Sequence, residues 1–244
     1  VGWDNFKYLF STNDAWIITR NTLLYNIIFI VVGLIAAVGI AILLNELVNK
    51  KQSKIYQTSI LFPHFISWVI GSYFVFTFLS TDHGLMNHVL GWFNIDPISW
   101  YSESKYWPFI LVFMSLWKGI GYGSIVYLAS IVGIDRTYYE AAMIDGASKW
   151  KQIKHVTLPM LKPLMIILTI MNIGKIFNSD FGLFYQVPRD SGALYSVTNV
   201  IDTFVYRGLM NLGDIGMSTA AGLYQSVVGF TLVMITNYIV RKID

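Results

Sequence analysis

The chain has 244 residues, 55% hydrophobic and 13% charged, with a mean hydropathy of +0.55; soluble domains carry about 25% charge, so the composition is that of a membrane protein. A formal net charge of +3 does not indicate a nucleic-acid binder, because the lysines and arginines sit in short loops beside apolar runs and form no basic face. The chain has no cysteine, which excludes disulfide frameworks, thiolate metal sites and cysteine nucleophiles.

The opening VGWDNFKYLF has no basic segment followed by an apolar core, so it carries no signal-peptide pattern. It also lacks a leading methionine, and residues upstream of Val1 are expected. Five stretches are long enough to cross a bilayer, which takes about 20 apolar residues. The first lies between Arg20 and Glu46 and the second between Lys54 and Asp82, with Pro63 and His64 near its start; neither interval contains a charge. A third runs from about Tyr106 to Ile134 with Lys118 inside it, a fourth from Pro159 to about Asn178 with Lys175 inside it, and a fifth from Ile215 to Val240. Backbone amides in hydrocarbon must be satisfied internally, so each is predicted as a helix. The expected fold is an all-α, polytopic transmembrane helical bundle, residues 1–244 forming one membrane domain without repeat, low-complexity tract or linker.

Orientation follows from the basic residues of short loops. Lys50, Lys51 and Lys54 follow the first span; Arg136, Lys149, Lys151, Lys154 and Lys162 lie between the third and fourth; Arg241 and Lys242 follow the fifth. All fall on one side, which is therefore cytoplasmic and holds the C-terminus. Outside the spans the other side has Lys7, Arg20, Lys105, Arg189 and Arg207. Five spans put Val1 outside, and a sixth helix upstream would return the true N-terminus inside. Trp92, Trp100, Tyr101, Tyr106 and Trp107 crowd the external loop after the second span; two readings stand, an aromatic belt at headgroup level and a surface for sugar stacking or docking.

Between the third and fourth spans the chain turns polar, with Glu140, Asp145 and several lysines. Thr137 and Glu140 have the spacing of a capping box, which predicts a helix from about Tyr138. Ala141 and Ala142 propagate it, and Gly146 supplies the left-handed residue that ends one. A short second helix through Trp150 and Ile153 is expected before Pro159, which is tolerated in the first turn of the next span. The segment is too polar for lipid. By spacing alone it is either a docking element, whose small residues admit a partner backbone, or an amphipathic loop held on the inner leaflet by its lysines.

These residues resemble the EAA motif of ABC importer permeases, E-A-A-x-x-D-G-A followed at fixed spacing by L-P-x-x-x-P. Glu140, Ala141, Ala142, Asp145, Gly146, Ala147, Leu158, Pro159 and Pro163 occupy its positions, while Ile153 and Val156 replace the usual aromatic and isoleucine. The likeness extends through GWDNFKYLF, FPHFISWV, WKGIGYGSIVYLASIVGID and VIDTFVYRGLM, which are similar to the polysaccharide-type permeases among carbohydrate importers. The resemblance implies a six-helix, multi-pass permease of the bacterial cytoplasmic (inner) membrane, paired with a second homologous permease. It implies ATPase subunits gripping a cytoplasmic coupling-helix pair at about residues 136–157, and an extracellular or periplasmic solute-binding protein that delivers the saccharide. Coupling is then expected of Glu140, Ala141, Ala142, Asp145, Gly146, Ala147, Trp150 and Pro159; capping alone is the competing account of Glu140.

No catalytic residue is expected in this chain. The pattern G-x-x-x-x-G-K-[ST] is absent from the sequence, so ATP and Mg²⁺ belong to the partner ATPase and no cofactor is assigned here. Charges at membrane depth are costly enough to mark function. That rule assigns Lys118, Tyr122, Asn172, Lys175, Asn178 and Asp180 to the substrate pathway. Asn172 and Lys175, one helical turn apart, would face one cavity. Snorkelling is the alternative for Lys118, and an ion pair with Asp180 the alternative for Lys175. Gly119, Gly121 and Gly123 match a dinucleotide fingerprint only in part and read as helix-packing positions. His64, His83, His88 and His155 have no metal-ligand spacing, so no metal site is expected. The rival function is an ion-coupled secondary transporter or channel built on Lys118, Lys175 and Asp180; a membrane enzyme would need a nucleophile, base or metal set that the sequence does not assemble.

Overall fold

The structure, a computed structural model, describes residues 3–243, and the side chains of these except Lys50, Asn237 and residues 239–243. The expectation attached to Val1, and the side chains of Lys50, Arg241 and Lys242 used for orientation, lie outside the described residues. Helices follow one another in the order α1 (Asp4–Ser11), α2 (Asn13–Asn45), α3 (Lys50–Leu61), α4 (Trp68–Leu79), α5 (Leu85–Trp92), α6 (Trp107–Val132), α7 (Arg136–Ile144), α8 (Lys149–Gln152), α9 (Leu158–Ile173), α10 (Phe181–Gln186), α11 (Tyr195–Thr198), α12 (Ile201–Met210) and α13 (Ile215–Ile243), with no strand among the described residues. Four helical runs are long and apolar enough to cross a membrane: Asn13–Asn45, Ser104–Val132, Lys149–Ile173 and Ile215–Thr236. The second predicted span makes a fifth if its two broken halves are counted as one.

Three boundaries differ from expectation. The first span starts at Asn13, which puts Arg20 inside a helix of 33 residues. At 1.5 Å per residue such a helix is about 50 Å long and outruns a hydrocarbon core of about 30 Å. Arg20 is stabilised there by Asn21 Oδ1, which accepts from its Nε and Nη2 at 3.2 and 3.0 Å, and by the Ser196 carbonyl at 2.8 Å. The second span is not one helix: α3 gives way to a 3₁₀ turn at Phe62–Phe65, and α4 restarts with the Ser67 hydroxyl accepting the Ile70 N–H. Pro63 has no N–H for the ladder, and Ser67 is a strong N-cap; an apolar run hides both. The fourth span begins earlier and ends earlier than predicted, running from Lys149 to Ile173.

The chain divides into two compact units, one of Val1–Ile28, Ile66–Ser115 and Ile173–Asp244, the other of Phe29–Phe65 and Leu116–Asn172. In the first, Leu9, Ile18, Phe177, Ile201 and Ala221 form a buried cluster joined by Tyr224 and Leu232. Polar side chains of α2 tie it to later segments: Asn21 Nδ2 donates to the Asn199 carbonyl at 2.9 Å, Thr22 Oγ1 accepts the Ile201 N–H at 3.2 Å, and Asn26 Nδ2 donates to the Asn178 carbonyl at 3.1 Å. In the second, Ala37, Val38 and Ala41 of α2 pack with Tyr127, Leu128 and Ile131 of α6 and Leu161 of α9. Lipid tails are as apolar as leucine, so close packing over small residues holds such helices together. A Cβ on Gly123 would lie 3.2 Å from the Ala37 Cβ, in line with the packing role read from the sequence.

The aromatic loop after the second span is organised in a way neither sequence reading foresaw. Asn87 organises it: Nδ2 donates to the carbonyls of Thr81 and Ile98, both at 3.0 Å, while Oδ1 accepts from the Ile98 N–H at 3.1 Å and the Trp100 indole at 2.9 Å. Trp107, fully buried, donates its indole N–H to the Trp100 carbonyl at 2.7 Å. Tyr101 packs on Trp107 and Tyr106 on Trp100, with ring centroids 5.1 and 5.0 Å apart. Four of the five aromatics therefore form the core of the loop. Trp92 alone of these five, 79% exposed, keeps the character of a belt residue.

Candidate functional site

The polar elbow between α6 and α9 belongs wholly to the second unit. Its helix α7 begins two residues earlier than the capping-box reading, because Asp135 takes the cap: its carboxylate accepts the Thr137 N–H at 2.9 Å. That bond holds the Asp135 carboxyl below its usual range. Thr137 thus lies inside the helix, and the capping role expected of Thr137 with Glu140 passes to Asp135 because an aspartate precedes the threonine by two residues. The C-terminal expectation for Gly146 matches the structure. Gly146 has φ +75°, its N–H donates to the Met143 carbonyl at 3.0 Å and the Ala147 N–H to the Ala142 carbonyl at 2.9 Å. This is the Schellman pair, which satisfies carbonyls that the helix end leaves open.

Beyond the turn, the separate second helix predicted at Trp150 merges with the next span. α8 passes through a π-helical turn, Ile153–Thr157, directly into α9. The widened turn precedes Pro159, whose ring and missing N–H cannot serve a carbonyl one turn back; π-type turns recur at functional sites. The elbow is braced internally. Gln152, buried, donates from Nε2 to the Ala147 carbonyl at 3.1 Å, and the hydroxyls of Tyr139 and Thr157 lie 3.0 Å apart. Lys149 pairs with Glu46 at 3.3 Å, an exposed contact worth at most about 1 kcal/mol. Glu140, Ala141, Asp145, Gly146, Trp150 and Pro159 are exposed, and Ala142 and Ala147 half-buried. Ile144 is 87% and Trp150 71% exposed, so a braced, water-facing element presents two large apolar side chains.

The residues assigned to a pathway divide between the two units. In the second, Lys118 and Tyr122 lie one turn apart on α6, Lys118 Nζ donates to the His64 carbonyl at 3.1 Å, and the Tyr122 ring stacks on the His64 ring. Asn172 is exposed in the last turn of α9. In the first unit, Lys175 is exposed in a turn past the end of α9. Asn172 and Lys175 therefore do not share one helix, contrary to the expected one-turn spacing. The helix stops because the chain after Gly174, a weak helix former, is captured by distant side chains. Gln225 Nε2 donates to the Phe177 carbonyl and to Asn178 Oδ1, both at 3.0 Å, and Asp202 accepts the Ser179 N–H at 2.8 Å.

Asp180 is not held by Lys175 as an ion pair. Its Oδ2 accepts from the Trp68 indole at 2.7 Å, and its Oδ1 caps α10 through the Leu183 N–H at 3.3 Å. Gly182 lets Trp68 lie against α10, since a Cβ there would come within 2.7 Å of the Trp68 Cγ. Sequence reasoning missed His64, Trp68, Asp202 and Gln225. For His64 the adjacent Pro63 was a usable signal of a break; for Asp202 and Gln225 no local signal exists, because their partners lie about 20 to 50 positions away.

A family model described as "Binding-protein-dependent transport system inner membrane component" matches residues 20–244. Protein LplB of Bacillus subtilis (strain 168) is 35% identical over 244 residues, covering 100% of this chain and 76% of that protein. The polygalacturonan/rhamnogalacturonan transport system permease protein YteP of the same strain is 31% identical over 242 residues, covering 99% of this chain and 75% of that protein. Among solved structures, a chain of a bacterial ABC transporter involved in the import of the acidic polysaccharide alginate is similar with a TM-score of 0.93 and 32% sequence identity, over 100% of this chain and 84% of that one. With the EAA residues on an exposed and braced elbow, and the family match running through every membrane-capable helix, the chain belongs to the binding-protein-dependent transport system inner membrane components, the permease subunits of ABC importers.

Proposed function

We propose that this chain forms half of the translocation pathway of an ATP-driven importer for oligosaccharides or polysaccharides of acidic character. The observation that carries the reading is the elbow: exposed Ile144 and Trp150 sit on a segment too polar for lipid and braced from within, which is the chemistry of a surface awaiting a protein partner. Its occupant is an ATPase subunit that binds ATP and Mg²⁺. Closure of two such subunits would move residues 136–157 as one lever and bias the helices between outward and inward access. A second homologous permease completes the pathway, and a periplasmic or extracellular binding protein delivers the saccharide. The acidic class is supported by the import of alginate by the structural neighbour and by the polygalacturonan transport named for the relative YteP.

In the bacterial inner membrane the elbow and C-terminus face the cytoplasm, in line with the lysines of the elbow. Lys118, Tyr122, Asn172 and Lys175 contribute side chains to the pathway, with Asn178 and Asp180 shaping it through the bonds that hold the 174–180 turn. Purification from native membranes tests the assignment directly. Co-elution with ATPase subunits and a second permease is expected, whereas a functional oligomer of this chain alone would favour an ion-coupled secondary transporter. Lys175→Met is expected to lower uptake of an anionic oligosaccharide about fivefold more than that of a neutral one, the effect of losing about 1 kcal/mol of charge attraction. Equal loss for both, measured by uptake into vesicles, would remove its charge-reading role.

A further inference from the structure

The second predicted span is free of charge, yet the break inside it is closed by a lysine from another helix. α3 and its 3₁₀ turn end at Phe65, and the last carbonyls of a helical run have no partner within it. In hydrocarbon such groups must be satisfied by something else. Lys118, the twelfth residue of α6 and so near the middle of its span, donates from Nζ to the His64 carbonyl at 3.1 Å. An ammonium at the carbonyl end of a helix also opposes the negative end of its dipole.

The same face of α6 receives the rest of the broken end. A Cβ on Gly121 would lie 2.6 Å from the Ile60 carbonyl carbon and 2.8 Å from the Leu61 Cα, so only glycine admits α3 this closely. One residue on, the Tyr122 ring lies on the His64 ring with centroids 5.1 Å apart and planes 15° from parallel. Lys118, Gly121 and Tyr122, spaced three and four apart, thus form one seat for residues 60–64. The outer surface of the stack remains open: His64 is exposed and Tyr122 is 59% exposed. Phe65 stands edge-on to the imidazole, with centroids 5.7 Å apart.

We propose that Lys118 is a positioning residue, capping the broken second span so that His64 lies flat on Tyr122, and that this imidazole–phenol pair is a stacking station for the saccharide ring. The proposal rests on the importer reading above and changes one part of it: the Lys118 charge serves the protein backbone and does not read the charge of the substrate. Two flat rings with polar rims suit a pyranose, whose faces carry C–H groups and whose edge carries hydroxyls. A lipid-facing position at mid-span would favour rings without those rims, and a mid-span lysine belongs beside a water-filled path.

The test uses the assembled importer, with its ATPase, second permease and binding protein, reconstituted in vesicles and supplied with neutral and anionic oligosaccharides. Lys118→Met is expected to lower uptake about tenfold, and equally for both sugars, while Lys118→Arg, which keeps a donor, stays within about threefold. His64→Ala and Tyr122→Ala should each cost about tenfold, and adding Lys118→Met to His64→Ala should cost no more than about twofold further. A loss confined to anionic sugars, or losses that multiply in the double variant, would overturn the positioning role. Should Lys118→Met fail to assemble, the ring variants decide: normal uptake with either, or loss of the second permease from the purified complex, would show that the stack is no sugar station. Wild-type vesicles that import no saccharide would instead overturn the importer reading itself, and this proposal with it.

Discussion

Replacing Gly146 by valine is expected to lower uptake about tenfold while the membrane helices stay folded and the ATPases still hydrolyse ATP. The cost is conformational. Gly146 has φ +75°, and a Cβ built on it meets nothing within 4 Å, so a side chain is not excluded by crowding. The penalty is that of holding an L-residue in the left-handed region, about 1–2 kcal/mol and more for a β-branched residue. That shifts the ratio of this elbow geometry to its alternatives by about five- to thirtyfold. The alternative geometry breaks the paired bonds from Gly146 to Met143 and from Ala147 to Ala142, so α7 and α8 no longer move as one lever. Gly146→Asn separates this account from a general loss of fit, because asparagine tolerates the left-handed region best among side-chain-bearing residues. The asparagine variant should keep most of the uptake per ATP hydrolysed, measured in reconstituted vesicles beside valine. Wild-type coupling in the valine variant would show that a rigid turn at this position is not needed.

Arg207→Met is expected to be the most destabilising single change outside the spans, costing about 3–5 kcal/mol. Arg207 is 8% exposed. Its Nε donates to Asp190 Oδ1 at 2.6 Å and its Nη1 to Asn199 Oδ1 at 2.7 Å, and its guanidinium lies 4.0 Å from the centre of the Tyr195 ring. Methionine fills similar volume but leaves Asp190 Oδ1 with only the Tyr195 hydroxyl at 3.1 Å and Asn199 Oδ1 with only the Thr203 hydroxyl at 3.3 Å, and loss of the ionic donor from this part-buried network dominates the cost. The loop it holds is strained: Arg189 and Asp190 are consecutive non-glycine residues in the left-handed region, with φ 54° and 49°. Such strain persists only where surrounding contacts enforce it. Released from Arg207, the segment should relax and become protease-sensitive. In detergent, the thermal midpoint should fall by roughly 6–20 °C for a chain of this size, and limited proteolysis should cut within residues 187–199 first. Asp190→Asn, which keeps an acceptor oxygen, should cost less than half as much. A midpoint within about 2 °C of wild type for Arg207→Met would mean that the buried pair does not hold the loop.

The parts of this protein that the sequence determined by itself are those set by local physics. Hydrocarbon demands long apolar helices, so the four uninterrupted spans were legible from hydropathy. A left-handed turn demands glycine, so Gly146 and the helix end it marks were legible from residue type and spacing, whereas the EAA residues were recognised by family resemblance. Where two local signals competed, as with Asp135 and Thr137 for one cap, residue type alone did not choose between them.

Tertiary structure decided whatever depends on partners far along the chain. Lys118 reaches a carbonyl 54 residues away, a contact that no local pattern in the sequence announces. Gln225 and Asp202 hold the chain just past α9, so Lys175 lies beyond the helix that ends at Ile173. Asn87 ties the loop after the second span to Trp100, 13 residues on. Each such contact is worth only about as much as one hydrogen bond, comparable with the local preferences it overrides. The sequence carries both contributions, but only the folded chain shows which groups are close enough for the distant one to prevail.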